Sequence, residues 1–360
     1  MSLSPFDAAL LASCLVLATP ILLTSLGELI SQRAGVMNVG LEGMMIFGAF
    51  FGFVGVVYSH SSWVGLLTGA VAGCLLSSVM AVLTVLFRAD QIVVGIGINL
   101  IGSGATIFLN RRLFFGGSQA QIKTMASVPI PGLSNIPGIG RALFNQPIVV
   151  YLAYALIAVV ALILFRSKFG LAARAAGELP PAVESAGIKV SHVRITAVLG
   201  AGFLAGLAGA FLSVVEVGVF VEGMSGGRGF LALAAVVFGK WRLRGVVFGA
   251  LLFGGADALQ LRLQSASEVP SSIWWALAIV GGLLVGIWTA RRRFSTGRTA
   301  AVVILIGGGV TLALAPVHAA LPSQAWLALP YVLSLVALAS FVGQARMPSA
   351  LAEPFDRESM

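Results

Sequence analysis

The sequence predicts an all-α protein, a polytopic bundle of about 9–11 transmembrane helices. Hydrophobic residues make up 58% of the 360 residues and charged residues only 10%, whereas soluble domains carry about 25% charged residues. Apolar stretches close to the length that crosses a bilayer, about 20 residues, recur along the whole chain. These stretches are continuous rather than alternating, which argues against a β-barrel.

Apolar runs define the predicted spans in chain order. The full-length spans cover residues 8–30, 37–58, 62–87, 91–110, 147–165, 195–217, 245–262, 273–290, 299–316 and 326–343. A further apolar run at 229–239 is too short to cross alone, and the Gly-rich stretch 218–228 precedes it. We expect a re-entrant or broken helix there, because irregular backbone at membrane depth needs protein or a water-filled cavity around it.

The Lys and Arg residues set the expected orientation, since cytoplasmic loops carry an excess of them. If the loop 166–194 is cytoplasmic, most of the 22 Lys and Arg residues lie on the same side of the membrane. The N-terminus is then outside, the C-terminus is cytoplasmic, and 111–146 is an extracytoplasmic loop. The first 30 residues contain no Lys or Arg, so we expect the first span to be retained rather than cleaved as a signal peptide.

Neither the net charge nor the short motifs indicate an enzyme or a nucleic-acid-binding protein. The charge of +9 lies in short clusters that flank the spans rather than on one basic face. The three histidines lie far apart, and Gly239-Lys240 is followed by Trp241, so the phosphate-binding GxxxxGK[ST] loop is absent. We therefore predict no catalytic residues, no metal ligands and no ATP hydrolysis by this chain.

Small residues at four-residue spacing predict closely packed helices, because they let helix backbones approach in a membrane. They are Gly48 and Gly52; Gly65, Gly69 and Gly73; Gly202 and Gly206; and Gly245 and Gly249.

Polar side chains inside the predicted spans are the candidate functional residues. A carboxylate at mid-bilayer costs about 2.5–3.5 kcal/mol on insertion scales, so it is expected to face the bundle interior or a cavity. Three interpretations stay open: a neutral hydrogen-bonded clasp between helices, a lining of a permeation path, or a proton relay. The candidates for the path are Asn38, Glu42, Gln91, Asn99, Glu216 and Asp257, with Glu28 near a span end.

The loop 166–194 is long and basic, and it predicts two short helices. Leu171 and three alanines after it form a small apolar face, and Pro180-Pro181 break this first helix. A second helix at 182–186 follows, with Gly187 placed to supply a positive φ. The loop is either a solvated connector or a surface that docks into a groove of a cytoplasmic partner.

Four motifs resemble one family. "RAGVMNVGLEGMM" (33–45), "ADQIVVGIGINLIGSG" (89–104), "GLAARAAGELPPAVESAGI" (170–188) and the block 227–264 occur in the order typical of one group of permeases. The chain resembles a permease subunit of ATP-binding cassette (ABC) importers for branched-chain amino acids and simple sugars. Within that group it is most similar to the nucleoside-type subfamily.

The resemblance implies a single transmembrane permease domain over 1–360, in the plasma (inner) membrane of a bacterium. It implies a second related permease chain, a separate cytoplasmic ATPase that binds ATP and magnesium, and an extracytoplasmic solute-binding lipoprotein. Transport would follow alternating access. By motif position, the residues at the ATPase interface would be Gly170, Arg174, Gly177, Glu184 and Gly187, and those near the path would include Asn38, Glu42 and Asn99.

The sequence departs from the family pattern in two places. Residues 177–180 read Gly-Glu-Leu-Pro, where related permeases usually have Gly-Glu-Asn-Pro. Residues 274–322 look like an insertion of two spans, which would leave the C-terminus on the same side. Nucleosides are the expected solutes. The alternatives are simple sugars or branched-chain amino acids and, from another class, an ion-coupled secondary transporter that works alone.

Overall fold

The computed structural model describes residues 5–114, 121–136, 140–265 and 347–355. The chain divides into two compact units, residues 1–256 with 344–360, and residues 257–343. Of the second unit, the described residues are 257–265, which form the end of a helix. The predicted two-span insertion at 274–322 and the last predicted span at 326–343 lie outside the described residues.

The described residues form eleven α-helices and two short strands. The helices are α1 (Pro5–Arg33), α2 (Leu41–Ser59), α3 (Ser62–Ala81), α4 (Gln91–Leu113), α5 (Gly140–Phe144), α6 (Ile148–Arg166), α7 (Lys168–Glu178), α8 (Pro180–Ser185), α9 (Val190–Ala210), α10 (Arg228–Phe238) and α11 (Leu243–Ser265). The strands β1 (Ser127–Pro129) and β2 (Asn145–Pro147) pair antiparallel. Two π-helical segments continue helices, Val82–Leu86 after α3 and Phe211–Val217 after α9.

Within the described part of the chain, six helices are long and apolar enough to cross a membrane. They are Ala9–Arg33, Leu41–Ser59, Ser62–Leu86, Gln91–Leu113, Ile148–Arg166 and Val190–Val217. These six match the first six predicted spans and confirm the helical membrane class. The span predicted at 245–262 falls within α11, which is not one of the six, and α10 has only 11 residues, as the short apolar run at 229–239 predicts.

Helix α9 lies at the centre of the first unit, where it packs against α1, α2 and α3. Glycines allow the closest approaches, as their spacing predicts. A Cβ atom added at Gly48 of α2 would overlap the backbone of Gly206 in α9, and one added at Gly206 would overlap the backbone of Gly69 in α3. The backbones of the three helices are therefore in direct contact at these glycines. A larger side chain at any of these positions would keep the helices apart.

A non-helical break, residues 34–40, separates α1 from α2. Gly35 within it has a φ of +91°, which residues with a Cβ rarely adopt. The span predicted to begin at residue 37 therefore begins as a helix only at Leu41. Hydropathy did not detect this break, because Val36, Met37 and Val39 are themselves apolar.

The segment 111–146, expected to be a loop, contains α5 and part of the two-stranded pairing. The Tyr151 hydroxyl at the start of α6 donates to the carbonyl of Val128 in β1, at 3.0 Å. The Ile122 amide donates to the Gly218 carbonyl, at 2.9 Å. These bonds fasten the described parts of the segment to the ends of two long helices.

Candidate functional site

Four of the predicted polar residues lie around the break between α1 and α2, next to backbone groups that have no helical hydrogen-bond partner. At its centre, Glu28 of α1 is fully buried, and so is Asn38. Glu28 Oε1 accepts hydrogen bonds from Gln32 Nε2, at 2.7 Å, and from the Asn38 amide, at 3.0 Å. Because a buried amide without a partner costs about 1–3 kcal/mol, the Glu28 carboxyl stabilises the irregular backbone at this point.

The side chain of Asn38 folds the break back onto α2. Its Oδ1 accepts from the Gly40 amide at 3.0 Å, and its Nδ2 lies 3.4 Å from the Met44 sulfur. From α4, Gln91 Oε1 accepts from the Met37 amide at 2.8 Å. The side chains of Asn38 and Gln91 thus accept hydrogen bonds from backbone amides that have no partner within a helix.

Asn99 in α4 caps the first turn of α2 from outside. Its Oδ1 accepts from the Gly43 amide at 2.7 Å, and its Nδ2 donates to the Val39 carbonyl at 3.0 Å. The residue before α2 is Gly40, which has no side chain to accept the first amides of the helix. The side chain of a neighbouring span therefore supplies the cap.

Glu42 caps the N-terminus of α10 in the same way. Its Oε1 accepts from the Gly227 amide at 2.8 Å and its Oε2 from the Gly229 amide at 2.7 Å. Gly227, the residue before α10, has a φ of +81°. A carboxylate at a helix N-terminus meets unpaired amides and the positive end of the helix dipole, so Glu42 fixes where α10 begins.

The other end of α10 is held by the end of α1. Trp241 Nε1 donates to Gln32 Oε1 at 2.6 Å, and Arg33 donates from Nε and Nη2 to the Trp241 carbonyl, at 3.0 and 2.6 Å. Lys240 and Trp241 both have positive φ values, of 55° and 53°. Such strained backbone persists where its surroundings determine it, and Gln32 and Arg33 provide those surroundings.

Sequence reasoning missed Gln32 and Trp241 as members of this site. Gln32 follows Glu28 by four residues, one turn along α1, and that spacing of two polar side chains in an apolar run was an available signal. Trp241 carried no comparable signal, since its role depends on a turn that brings it to a helix more than 200 residues earlier.

The remaining two predicted path residues lie on other elements. Glu216 is half-buried in the π-helical segment after α9. Asp257 lies in α11, in the second unit, and is half-buried there. Among the described residues, no group of three or more His, Cys, Asp or Glu side chains is placed to hold a metal ion.

The segment 166–194 forms the two predicted short helices, α7 and α8, ahead of α9. The Ser167 hydroxyl caps α7 by accepting from the Gly170 amide at 3.0 Å. Glu184 Oε2 accepts from the Val190 amide at 3.0 Å and so caps α9. Gly187 has the expected positive φ, of 81°.

The five residues expected at a partner interface have different environments. Gly170 and Gly177 are buried, and a Cβ at Gly177 would overlap the Arg33 carbonyl of α1. The Arg174 guanidinium lies 5.4 Å from the centre of the Phe165 ring. Glu184 is half-buried and Gly187 exposed. The large apolar side chains exposed in this segment are Leu171, Leu179 and Ile188.

Part of the predicted docking face turns inward. Ala172 and Ala176 pack against the protein's own core, whereas Leu171 is 64% exposed. The alanines of α7 therefore attach the segment to α1 and α6, and Leu171 with Leu179 is left at the surface.

The sequence is similar to those of known transport proteins over most of its length. Residues 10–288 match the family described as the branched-chain amino acid transport system / permease component. The guanosine ABC transporter permease protein NupQ of Bacillus subtilis is 34% identical over 352 residues, 95% of this chain and 94% of NupQ. The nucleoside ABC transporter permease protein NupC of Lactococcus lactis is 34% identical over 349 residues, with the same two shares.

A third relative, from Haloferax volcanii, is TsgC13, provisionally assigned as a glucose ABC transporter permease. It is 41% identical over 266 residues, 73% of this chain and 80% of TsgC13. No solved structure shows a significant match. The family match covers well over half of the chain and confirms the resemblance carried by the four motifs. The chain therefore belongs to the branched-chain amino acid transport system permease family, as a multi-pass permease subunit of an ABC importer in the cell membrane, and it is not itself the ATPase.

Proposed function

We propose that this chain is the permease subunit of an importer of nucleosides. One observation carries the choice of solute: the matches to guanosine and nucleoside permeases extend over 95% of this chain. The match to the provisional glucose permease has higher identity but extends over 73%. A simple sugar is therefore the second candidate. A nucleoside contains a pentose, so the two solute classes share hydroxyl groups that a polar path would bind.

The polar side chains around the break at 34–40 are consistent with a transporter whose path runs beside broken helices. Each side-chain hydrogen bond described for Glu42, Gln91 and Asn99 goes to a backbone group of the break, of the first turn of α2 or of the start of α10. This pattern favours the clasp interpretation for these residues: they hold irregular backbone that borders the path. Glu216 and Asp257 remain proposed path residues.

The proposed assembly follows from what such a subunit needs. A permease that does not hydrolyse ATP requires an ATPase, and we propose that Leu171, Leu179 and the residues around Arg174 and Glu184 contact that partner, which would bind ATP and magnesium. A second related permease chain and an extracytoplasmic lipoprotein would complete the importer. In this arrangement 166–194 and the C-terminus are cytoplasmic, as the Lys and Arg distribution predicts.

Uptake of tritiated guanosine tests the proposal. Cells would carry this chain with its partner subunits, with the nucleotide-binding lysine of the ATPase either intact or replaced. We expect guanosine uptake that depends on the ATPase. Unlabelled nucleosides should inhibit this uptake by competition, whereas glucose and leucine should not. ATPase-dependent uptake of glucose or leucine instead would overturn the solute. Uptake that is indifferent to the ATPase variant would indicate an ion-coupled carrier.

A further inference from the structure

The C-terminal segment 347–355 lies against the end of α7. The Ala350 amide donates to the Gly177 carbonyl at 2.9 Å. Glu178 Oε2 accepts from the Ser349 hydroxyl at 3.1 Å and from the Ser349 amide at 3.4 Å. These bonds reach the two residues that end α7, more than 170 residues earlier in the chain.

The same segment also contacts the break between α1 and α2. The Ala352 amide donates to the Gly35 carbonyl at 3.1 Å. A Cβ atom added at Gly35 would lie 2.8 Å from Arg194 Nη2, 3.1 Å from the Ala350 carbonyl and 3.4 Å from the Ala176 carbonyl. Gly35 is therefore the point where α7, the C-terminal segment and α9 meet the break that carries Asn38.

Arg194, the fifth residue of α9, contacts the C-terminal segment as well. Its side chain is only 3% exposed. Its Nη1 donates to the Glu353 carbonyl at 2.8 Å, and its Nη2 lies 3.5 Å from the Ala350 carbonyl. A buried guanidinium needs acceptors to offset its lost hydration, and here they are backbone carbonyls of the C-terminal segment.

We propose that residues 347–355 act as a strap that makes the end of α7, the break at 34–40 and the start of α9 move as one body. Arg194 is its positioning residue. The inference rests on the proposed function, in which α7 and α8 receive the movement of the ATPase. The end of α7 also meets the end of α1 directly, through the close packing of Gly177 on the Arg33 backbone, but this packing carries no directional bond.

Replacing Arg194 by Gln tests the strap in the complete transporter in proteoliposomes. ATP hydrolysis and tritiated guanosine uptake are measured on the same sample. We expect hydrolysis to stay within about twofold of the unmodified transporter while uptake per ATP falls about tenfold, within the usual range of coupling free energies. Met347→Ala is the matched control, because the Met347 side chain is 57% exposed in the same segment. Equal losses of hydrolysis and uptake would make Arg194 a merely structural residue and overturn the strap.

A cross-link gives a second test that does not depend on how R194Q folds. Glu178→Cys and Ser349→Cys would be joined by a short thiol reagent that a reductant cleaves, in a chain whose Cys14 and Cys74 are replaced by Ala. A strap that moves with α7 predicts that uptake with the cross-link stays within about twofold of the reduced sample. Uptake that stops on cross-linking and returns on reduction would mean that the segment must leave α7, which overturns the proposal.

The two proposals fail in different ways. Absence of ATPase-dependent guanosine uptake in the unmodified transporter would overturn the proposed function. Normal uptake per ATP in the R194Q transporter, with the unmodified transporter active, would overturn the strap alone.

Discussion

The carboxylate of Glu42 lies 2.7 Å from the backbone nitrogen of Gly229, so a side chain of α2 caps the N-terminus of α10. Its other oxygen accepts from Gly227. Glu42 is the last of the five residues "NVGLE" (38–42), and its carboxylate lies where two helices meet.

Replacing Glu42 by Gln is expected to retain folding and to lower uptake about tenfold, since roughly 1.4 kcal/mol corresponds to a factor of ten. In Gln one carboxylate oxygen becomes an NH2 group, which donates but cannot accept, so one of the Gly227 and Gly229 amides loses its acceptor. The favourable charge at the helix N-terminus is lost as well. Labelled guanosine uptake per assembled transporter is the measurement. Glu222→Gln is the control, because Glu222 pairs with Arg111 at the surface, where such pairs contribute little. Full uptake by E42Q would show that the charge is not needed.

Replacing Asn99 by Ala should destabilise the folded chain by about 1–3 kcal/mol for each backbone group left unpaired. The Gly43 amide and the Val39 carbonyl would both lose their partner. The midpoint of thermal unfolding in detergent should therefore fall by several degrees. Ser103→Ala, at an exposed position one turn further along α4, should leave the midpoint unchanged. An unchanged midpoint for N99A would show that water or another side chain replaces the cap.

Two alanine substitutions within α9 should have opposite outcomes. A Cβ at Gly206 would overlap the backbone of α3, so Gly206→Ala should separate the helices and lower the unfolding midpoint in detergent. A Cβ at Gly200 would meet nothing within 4 Å, and alanine favours a helix over glycine by about 1 kcal/mol. Gly200→Ala should therefore be neutral or stabilising. Equal effects of the two substitutions would contradict the packing of α9 on α3.

Replacing Trp241 by Phe keeps an aromatic ring but removes the indole donor to Gln32. We expect a loss of about 1–3 kcal/mol, because Gln32 Oε1 is left buried without that donor. The readout is again thermal unfolding in detergent. Trp63→Phe serves as the comparison, since Trp63 is 54% exposed at the start of α3. If both variants unfolded at the parent temperature, the Trp241 contact would not hold the α10–α11 turn.

Hydropathy and spacing were enough to predict much of the fold. Six spans, the short helix α10 and the two helices of 166–194 follow from apolar length, proline and glycine positions. The positive φ of Gly187 and the close packing at Gly48 and Gly206 follow from side-chain size. Span length, turn positions and the presence of small residues are local properties, which one stretch of sequence determines.

The candidate site was predicted only in part, because its contacts join distant segments. Polarity alone singled out Glu42 and Asn99, but not the backbone amides that they cap. Asn38 was predicted to lie within a span that begins at residue 37, whereas it precedes the first residue of α2. The contacts of Trp241 with Gln32 and of Arg194 with the C-terminal segment depend on the tertiary fold, which no spacing in the sequence encodes.

The length of α10 has a consequence for the response of the transporter to lipid. Eleven residues at 1.5 Å each make a rod of about 16 Å, roughly half the hydrocarbon thickness of about 30 Å. The longer spans accommodate a thicker or thinner bilayer by tilting. Helix α10 is too short to be set in place by the two headgroup layers, so its depth is decided by Glu42 at one end and by the Trp241 turn at the other. Among the described residues, hydrophobic mismatch should therefore reach α10 through the helices that it contacts, α1, α2 and the first part of α11.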